Sequence, residues 1–206
     1  MTLPRLHVVT DHDVMARATF DEQLAAIASL GRRVAVHLRN READARTLWR
    51  VVERAAPVLR EQGAMLVVNA RPDIAAMAAA YAMQLGADDL SVTDARRVAA
   101  HALAGCSVHR PDEARAAVAE GADYLVVGNI HPTPSHPGRP GLGLAALGAF
   151  ITFGRPVIAI GGITPARAAA VHAVGAWGVA VIRSVWDAPD PVAAAEALLA
   201  PWERAA

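Results

Sequence analysis

Short apolar runs rich in β-branched residues alternate with longer alanine-rich stretches along the chain. A run such as Val157-Ile158-Ala159-Ile160 is apolar at every position, which is typical of a strand covered on both faces in a parallel sheet. The pattern predicts strands at Leu6–Thr10, Val34–Leu38, Met65–Asn69, Ala82–Leu85, Ser107–His109, Tyr124–Gly128, Val157–Gly161 and Gly178–Ile182.

Helices are predicted in the gaps between these strands. Proline follows a capping side chain at Thr164-Pro165 and at Asp190-Pro191, which is a frequent helix start. Glycines between a helical stretch and a strand are expected to end helices in the left-handed conformation, and they are Gly31, Gly63, Gly105, Gly121 and Gly175. The predicted helices are Phe20–Leu30, Ala43–Gln62, Pro72–Ala80, Asp94–Ala104, Pro111–Glu120, Leu144–Phe150, Pro165–Val174 and Pro191–Trp202.

Strand and helix units repeated in this way over 206 residues predict an α/β fold with one domain over residues 1–206, a single (β/α)8 TIM barrel. A doubly wound open sheet is the alternative, although it usually has fewer strands. Barrel enzymes carry their chemistry at the carboxyl ends of the strands. The candidate residues there are Asp11, His37, Arg39, Asn69, Arg71, Gly86 to Asp89, His109, Asn129, His131, Gly161, Gly162, Arg183 and Ser184.

The charges balance, with 20 basic and 20 acidic residues, and every basic residue is an arginine. A neutral chain offers no broad basic surface for nucleic acid or for an anionic membrane, so the expected partner is a small molecule. The absence of lysine excludes a lysine Schiff base. Anions must therefore be bound by arginine, histidine or backbone N–H groups.

The expected location is cytoplasmic. Cys106 is the only cysteine, which excludes an intrachain disulfide and fits a reducing compartment. The N-terminal residues do not have the pattern of a signal peptide, and no apolar run has the length of a membrane span. The sequence leaves open whether the chain forms a homo-oligomer.

The stretch from Asn129 to Gly143 is predicted to be an ordered loop, because its prolines and glycines prevent regular pairing. Its hydroxyls, histidines and arginine are candidates for holding an anionic substrate. The alternative is a solvated crossover without function. The candidate substrate-binding residues in it are Asn129, His131, Thr133 and Ser135.

A phosphate site is predicted where the seventh and eighth strands end. Gly161-Gly162 follows a buried strand and precedes a helix, and Arg183-Ser184 follows the next strand. Glycines let backbone N–H groups approach an anion, and barrels often bind phosphate at this place. A tight corner without a ligand is the alternative interpretation.

Several segments resemble the thiamin phosphate synthase superfamily: Pro156 to Ile163, Gly121 to Tyr124 with Val127-Gly128, and Pro132 to Ser135. The resemblance extends from Val8 to Ser184. It implies a (β/α)8 barrel that binds a thiazole phosphate. The superfamily has a synthase branch, which joins a pyrimidine pyrophosphate to the thiazole with magnesium, and a thiazole tautomerase branch.

The chain departs from the synthase branch at several positions. After the second strand, the synthase pattern Gln-Leu-Arg-Glu-Lys is replaced by His37-Leu38-Arg39-Asn40-Arg41. After the third strand, the synthase pattern is Asn-Asp-Arg, in which the aspartate binds magnesium, and this chain has Asn69-Ala70-Arg71. Asp89 matches the other metal-site aspartate, while His136 replaces a loop lysine. The replaced segments and Ser107-Val108-His109 resemble the tautomerase branch, so the expected activity is a thiazole tautomerase, an isomerase.

Tautomerisation moves a proton from carbon to another atom of the ligand, which suits a histidine. The resemblance implies His109 as the catalytic residue, His37 is a second catalytic candidate, and Arg39 is the expected clamp for a carboxylate. Asn69 and Asp89 are predicted to bind substrate. No metal site and no cofactor are expected, with magnesium required only if the chain is a synthase. Other histidines are expected to be structural or exposed: His7, His12, His101 and His172.

Three alternatives to the tautomerase remain open at the level of sequence. One is the thiamin phosphate synthase. Another is a non-catalytic protein that binds a thiazole phosphate or acts in regulation. The last is an unrelated phosphosugar isomerase on the same scaffold.

Overall fold

Eight parallel strands pair in sequence order and close into a barrel. The computed structural model describes residues 2–134, 138 and 140–204. The predicted (β/α)8 TIM-barrel fold is confirmed. The strands are β1 (Leu6–Val9), β2 (Val34–Leu38), β3 (Met65–Asn69), β4 (Ala82–Leu85), β5 (Leu103–Val108), β6 (Tyr124–Val127), β7 (Val157–Ile160) and β8 (Gly178–Val181).

Helices surround the barrel, and several begin where the sequence predicts. Asp190 caps the last helix by accepting hydrogen bonds of 3.0 Å from the N–H groups of Val192 and Ala193. Gly63 ends the longest helix in the left-handed conformation, with φ of 74°. The helices are α1 (His12–Met15), α2 (Phe20–Ala28), α3 (Ala45–Gln62), α4 (Pro72–Met77), α5 (Val92–Val98), α6 (Pro111–Ala119), α7 (Gly143–Ile151), α8 (Pro165–Ala173), α9 (Arg183–Trp186) and α10 (Pro191–Glu203).

The prediction around the fifth strand is wrong. The helix predicted over Asp94–Ala104 ends at Val98, and β5 begins at Leu103 rather than at Ser107. Gly105 is therefore not a helix end but a strand residue that pairs with Tyr124. A Cβ atom at Gly105 would lie 2.1 Å from Cζ of Tyr124, so the strand needs glycine at the point where that ring crosses it.

Three short elements of the structure are not predicted by the sequence pattern: α1, α9 and a 3₁₀ turn at Gly31–Arg33. Each contains four residues or fewer, which is too short to produce a helical pattern of apolar positions. Because α9 follows β8 directly, Arg183 and Ser184 lie in a helical turn rather than in an open loop.

On β2, β3 and β4 the interior face changes from apolar to polar toward the carboxyl end. Met65 and Val67 belong to the apolar interior cluster, and since alternate strand residues share a face, Asn69 also points inward. The same alternation places His37 above Ala35 and Gln84 above Ala82. Polar side chains are thereby collected toward the carboxyl ends of the strands.

In the described part of the chain, no helix combines the length and apolar character that a membrane crossing requires. The cytoplasmic location expected from the sequence stays a prediction.

Candidate active site

Thr10 and Arg39 form one side of the barrel mouth. The fully buried hydroxyl oxygen of Thr10 accepts a 2.9 Å hydrogen bond from the N–H of Arg39. It also lies 3.1 Å from the carbonyl oxygens of His37 and Arg39, to which its proton can be donated. These contacts fix the backbone from which the Arg39 side chain leaves the strand.

The guanidinium of Arg39 pairs with no carboxylate among the described residues, although it is half-buried. Burial lowers the pKa of Arg39, and the Arg41 charge lowers it further, whereas Asp11 and Asp89 oppose this change. Two neighbouring guanidinium groups without an ion pair favour an anionic ligand at the end of β2.

His37 lies below Asn69 inside the barrel and is only 1% exposed. Its Nδ1 atom is 3.1 Å from Oδ1 of Asn69. Burial lowers the pKa of His37 to about 4, although the hydrogen bond to Asn69 acts in the opposite direction. The imidazole is therefore neutral near pH 7 and is enclosed. Its predicted catalytic role stays a prediction.

His109 follows β5 at the mouth and is exposed. Its backbone N–H donates a 2.7 Å hydrogen bond to Oε2 of Glu113, and its Nδ1 atom contacts the carbonyl oxygen of Gly128. Because a carbonyl only accepts, Nδ1 carries the proton and Nε2 is left as an acceptor. The structure thus gives His109 a fixed tautomer, while its role toward substrate stays a prediction.

The loop after β6 is anchored at both ends. The N–H groups of Ile130 and His131 donate to the carbonyl oxygens of Ile160 and Gly161, at 2.8 and 3.1 Å. At the other end, Leu142 N–H donates to the carbonyl oxygen of Asn129 at 2.8 Å. The base of the predicted loop is therefore ordered and joined to β7.

Of the substrate-binding residues predicted in this loop, Asn129 donates from Nδ2 to the carbonyl oxygen of His131 at 3.1 Å. His131 is half-buried, and burial together with the charge of Arg167 lowers its pKa. Thr133 is also half-buried. Ser135 lies outside the described residues.

Gly161 and Gly162 form a backbone cradle at the end of β7. Their φ angles are 98° and 62°, and a Cβ atom at Gly162 would lie 2.7 Å from the carbonyl oxygen of Pro132. Both carbonyls are occupied, since His131 N–H donates to Gly161 and Nη1 of Arg167 donates to Gly162 at 2.6 Å. The two N–H groups donate to no described residue. This arrangement suits an anion at the start of α8.

The two residues predicted beside this cradle have partners of their own. Ser184 donates from its hydroxyl to the carbonyl oxygen of Ile163 at 2.5 Å. Nη2 of Arg183 donates to Oδ2 of Asp11 at 2.8 Å and to Oδ2 of Asp13 at 3.0 Å. Both side chains stabilise the mouth, and their predicted contact with phosphate stays a prediction.

Residues 6–185 match the family described as thiamine monophosphate synthase. The chain belongs to that family. It is 40% identical to thiamine-phosphate synthase of Thermus thermophilus over 183 residues, which cover 88% of this chain and 87% of that protein. It is 43% identical to the Mycolicibacterium vanbaalenii thiamine-phosphate synthase over 157 residues, which cover 75% of this chain and 71% of that protein.

A solved structure agrees with these relatives. Thiamine phosphate pyrophosphorylase from Pyrococcus furiosus superposes with a TM-score of 0.85 and 30% identity, over 98% of this chain and 96% of that one. The tautomerase expected from the sequence is wrong, because the relatives at 40 and 43% identity are named as synthases. The isomerase class is wrong for the same reason.

In this synthase family, the resemblance implies magnesium held by two aspartates, and the structure allows that site to be tested. Asp89 is half-buried, and its Oδ2 atom accepts a 2.7 Å hydrogen bond from Gly86 N–H. Ala70 occupies the other aspartate position with φ of 61°. Within the described residues no three His, Cys, Asp or Glu side chains are grouped so that they could hold a metal ion. The residues do not fit the two-carboxylate site.

Three polar residues that support the barrel mouth are not among the site residues predicted from the sequence, although one of them, His7, was expected to be structural or exposed. They are Thr10, which holds Arg39, Gln84, whose Nε2 atom donates to the Ser107 hydroxyl at 3.0 Å, and His7, which is fully buried against His37. Strand alternation was the available signal, because His7 shares a face with Val9 and Gln84 shares one with Ala82. Strand alternation shows which face of the sheet a residue lies on, but it does not show which side chains contact each other across the barrel.

Proposed function

We propose that this chain catalyses the thiamine-phosphate synthase reaction, a transfer that joins hydroxymethylpyrimidine pyrophosphate to a thiazole phosphate and releases pyrophosphate. The observation that carries the proposal is that the mouth offers two separate places for an anion. One is the Arg39 and Arg41 pair after β2, and the other is the Gly161-Gly162 cradle after β7. The named relatives support the same reaction.

The two anion sites lie three strands apart around the closed barrel, counted from β2 through β1 and β8 to β7. A reaction between a substrate that carries a pyrophosphate and one that carries a phosphate requires two such sites, with the reacting carbon and nitrogen atoms held between them. We assign the cradle to the thiazole phosphate, because backbone N–H groups and the start of α8 suit a compact phosphate. The arginine pair is assigned to the pyrophosphate.

The chemical step needs charge stabilisation more than proton transfer. The bond between the pyrimidine methylene carbon and the pyrophosphate oxygen breaks, and the thiazole nitrogen forms a new bond to that carbon. Negative charge develops on the departing pyrophosphate, and the guanidinium groups of Arg39 and Arg41 are placed to stabilise it. No carbon-bound proton has to move, so the acid/base roles predicted for His109 and His37 are not needed in this reaction.

Pyrophosphate release by the purified protein tests the proposal. We expect release only when the pyrimidine pyrophosphate and the thiazole phosphate are both present. The assay is run with and without Mg²⁺, since the described residues do not fit the expected metal site. Release that does not depend on the thiazole phosphate would indicate a hydrolase, and no release under any of these conditions would reject the transferase.

A further inference from the structure

A cavity lies at the amino-terminal end of the barrel, on the side opposite the mouth. It forms where the residues just before β1, β7 and β8 meet the last turns of α8 and α10, and its volume is about 410 Å³. Small-molecule sites usually measure about 300–1,000 Å³, so the cavity has room for a small ligand. The lining residues that matter most are Arg5, Arg155, Pro156, His172, Trp177 and Trp202.

The guanidinium of Arg5 is held in place at the wall of this cavity. Its Cζ atom lies 3.5 Å from the centroid of the Trp177 ring, and its Nη1 atom donates a 2.9 Å hydrogen bond to the carbonyl oxygen of Trp177. The Trp177 ring is fixed in turn, because its Nε1 atom donates to the carbonyl oxygen of Leu3 at 3.0 Å. Stacking and hydrogen bonding therefore orient the guanidinium before any ligand arrives.

The cavity carries positive charge without a counter-ion. Arg5 and Arg155 both line it, and neither forms an ion pair with a carboxylate in the part of the chain that the structure describes. No Asp or Glu is found among the described residues that line the cavity. The carboxylate of Glu203, which follows Trp202, accepts from Nε and Nη2 of Arg33 at 2.8 and 3.1 Å instead. Two permanent cations are thus left to attract an anion.

Aromatic and apolar surface lies beside these charges. The ring of Trp202 is buried, and its Nε1 atom donates to the carbonyl oxygen of Ala176 at 3.1 Å. The ring of His172 packs edge-on against it, with 5.2 Å between the centroids, and Ile151 and Pro156 complete this side. An aromatic ring placed here would bury apolar surface and contact other rings, which a bare inorganic anion would not do.

We propose that this cavity is a second ligand site, which binds a small aromatic anion with its carboxylate or phosphate group on Arg5 and Arg155 and its ring beside Trp202. Burial lowers the pKa of Arg5, and a bound anion would offset that loss of solvation. The site does not depend on the proposed function, because a ligand at the amino-terminal end of the barrel touches neither anion site of the mouth.

The indole N–H signals of the tryptophans test the proposal without any activity assay. Phenyl phosphate and benzoate are titrated separately against the ¹⁵N-labelled wild-type protein. We expect the NMR signals of Trp177 and Trp202 to shift along one saturating curve with at least one of these anions. Trp186 is the internal reference, because its Nε1 atom donates to Val9 at the other end of the barrel. No saturating shift of Trp177 and Trp202 with either anion would overturn the proposal.

Two further probes test the stated chemistry of the ligand. Inorganic phosphate lacks the ring, and phenol is uncharged at neutral pH. Each should bind at least about tenfold more weakly than the better of the two aromatic anions. If either probe binds as tightly as that anion, the proposed ligand class is wrong.

Variants then locate the binding. Arg5→Gln should weaken binding about tenfold or more, and Arg155→Gln about threefold or more, because Arg155 is more exposed. Arg32→Gln is the matched control, since Arg32 is exposed on the turn before β2, also at the amino-terminal end, and does not line the cavity. If Arg5→Gln does not fold, Arg155→Gln decides alone. Wild-type affinity in the folded cavity variants would overturn the proposal.

Discussion

Thr10 and Arg39 belong to different strand ends, yet the hydroxyl of Thr10 accepts a 2.9 Å hydrogen bond from the backbone N–H of Arg39 and lies 3.1 Å from its carbonyl oxygen. Thr10 is completely buried, so no water replaces these contacts when the hydroxyl is removed. The position of the arginine pair at the mouth depends on this junction between β1 and β2.

Thr10→Val should therefore lower both stability and pyrophosphate affinity. The change leaves the Arg39 N–H without its buried acceptor, which typically costs about 1–3 kcal/mol in the free energy of unfolding. Urea denaturation measures that loss, and calorimetry with pyrophosphate measures the affinity. Thr93→Val is the matched control, because Thr93 is exposed on α5. An unchanged stability of Thr10→Val would show that the junction does not depend on the hydroxyl.

Ala70→Asp should restore a second carboxylate for magnesium. Ala70 is exposed and has φ of 61°, a conformation that aspartate adopts more readily than alanine. We expect no loss of stability and a fall of about tenfold or more in the Mg²⁺ concentration that gives half-maximal turnover. Ala79→Asp is the control, since Ala79 is also exposed and has φ of 49°. The metal-site account fails if both variants have the Mg²⁺ dependence of the wild type.

Gly162→Ala should weaken binding of the thiazole phosphate while the barrel stays folded. The added Cβ atom would lie 2.7 Å from the carbonyl oxygen of Pro132, in the cradle itself. Gly154→Ala is a close control, because Gly154 has φ of 70° and a Cβ atom there meets nothing within 4 Å. Both variants carry the strain of about 1–2 kcal/mol expected for alanine at positive φ. If thiazole phosphate binds equally to both variants, the phosphate site lies elsewhere.

The sequence predicts most strands and helix ends, but it does not predict which side chains contact each other across the barrel. Apolar runs such as Val157–Ile160 and glycines such as Gly63 mark the strands and helix ends, because each reflects a local requirement of the backbone. The run from Ala99 to Ala104 misled the prediction of β5, because alanine favours a helix unless pairing with neighbouring strands prevails. Partners across the barrel, such as His7 and His37, depend on strand stagger, which no local pattern encodes.

Assigning the activity was harder still. His37 and Ala70 are single-residue departures from the synthase pattern, and His109 resembles the tautomerase branch, so these residues pointed to a tautomerase. The relatives at 40 and 43% identity are nevertheless named as synthases. A few substitutions at a mouth do not identify the reaction, because Arg39 can serve a carboxylate or a pyrophosphate with the same guanidinium.

The buried histidines should make the protein sensitive to acid. Burial lowers the pKa of His37 from 6.5 to about 4, so the unfolded chain binds this proton first as the pH falls. The stabilisation is complete above pH 6.5 and is lost between pH 6.5 and 4, by about 3 kcal/mol for this group. His37→Gln should lose less stability over that interval, measured by denaturant unfolding at each pH. His101→Gln, at an exposed site, should follow the wild type; identical pH profiles for all three proteins would contradict this assignment.

The central claim is that two anion sites hold two different substrates, and crossed kinetics of thiamine phosphate formation test it most directly. Arg39→Gln should raise KM for the pyrimidine pyrophosphate about 10- to 100-fold and leave KM for the thiazole phosphate within about threefold. Gly162→Ala should show the opposite selectivity. Arg50→Gln, at an exposed position on α3, is the control for loss of charge. An equal rise in both KM values for each variant, or no thiamine phosphate formed by the wild type, would contradict the account.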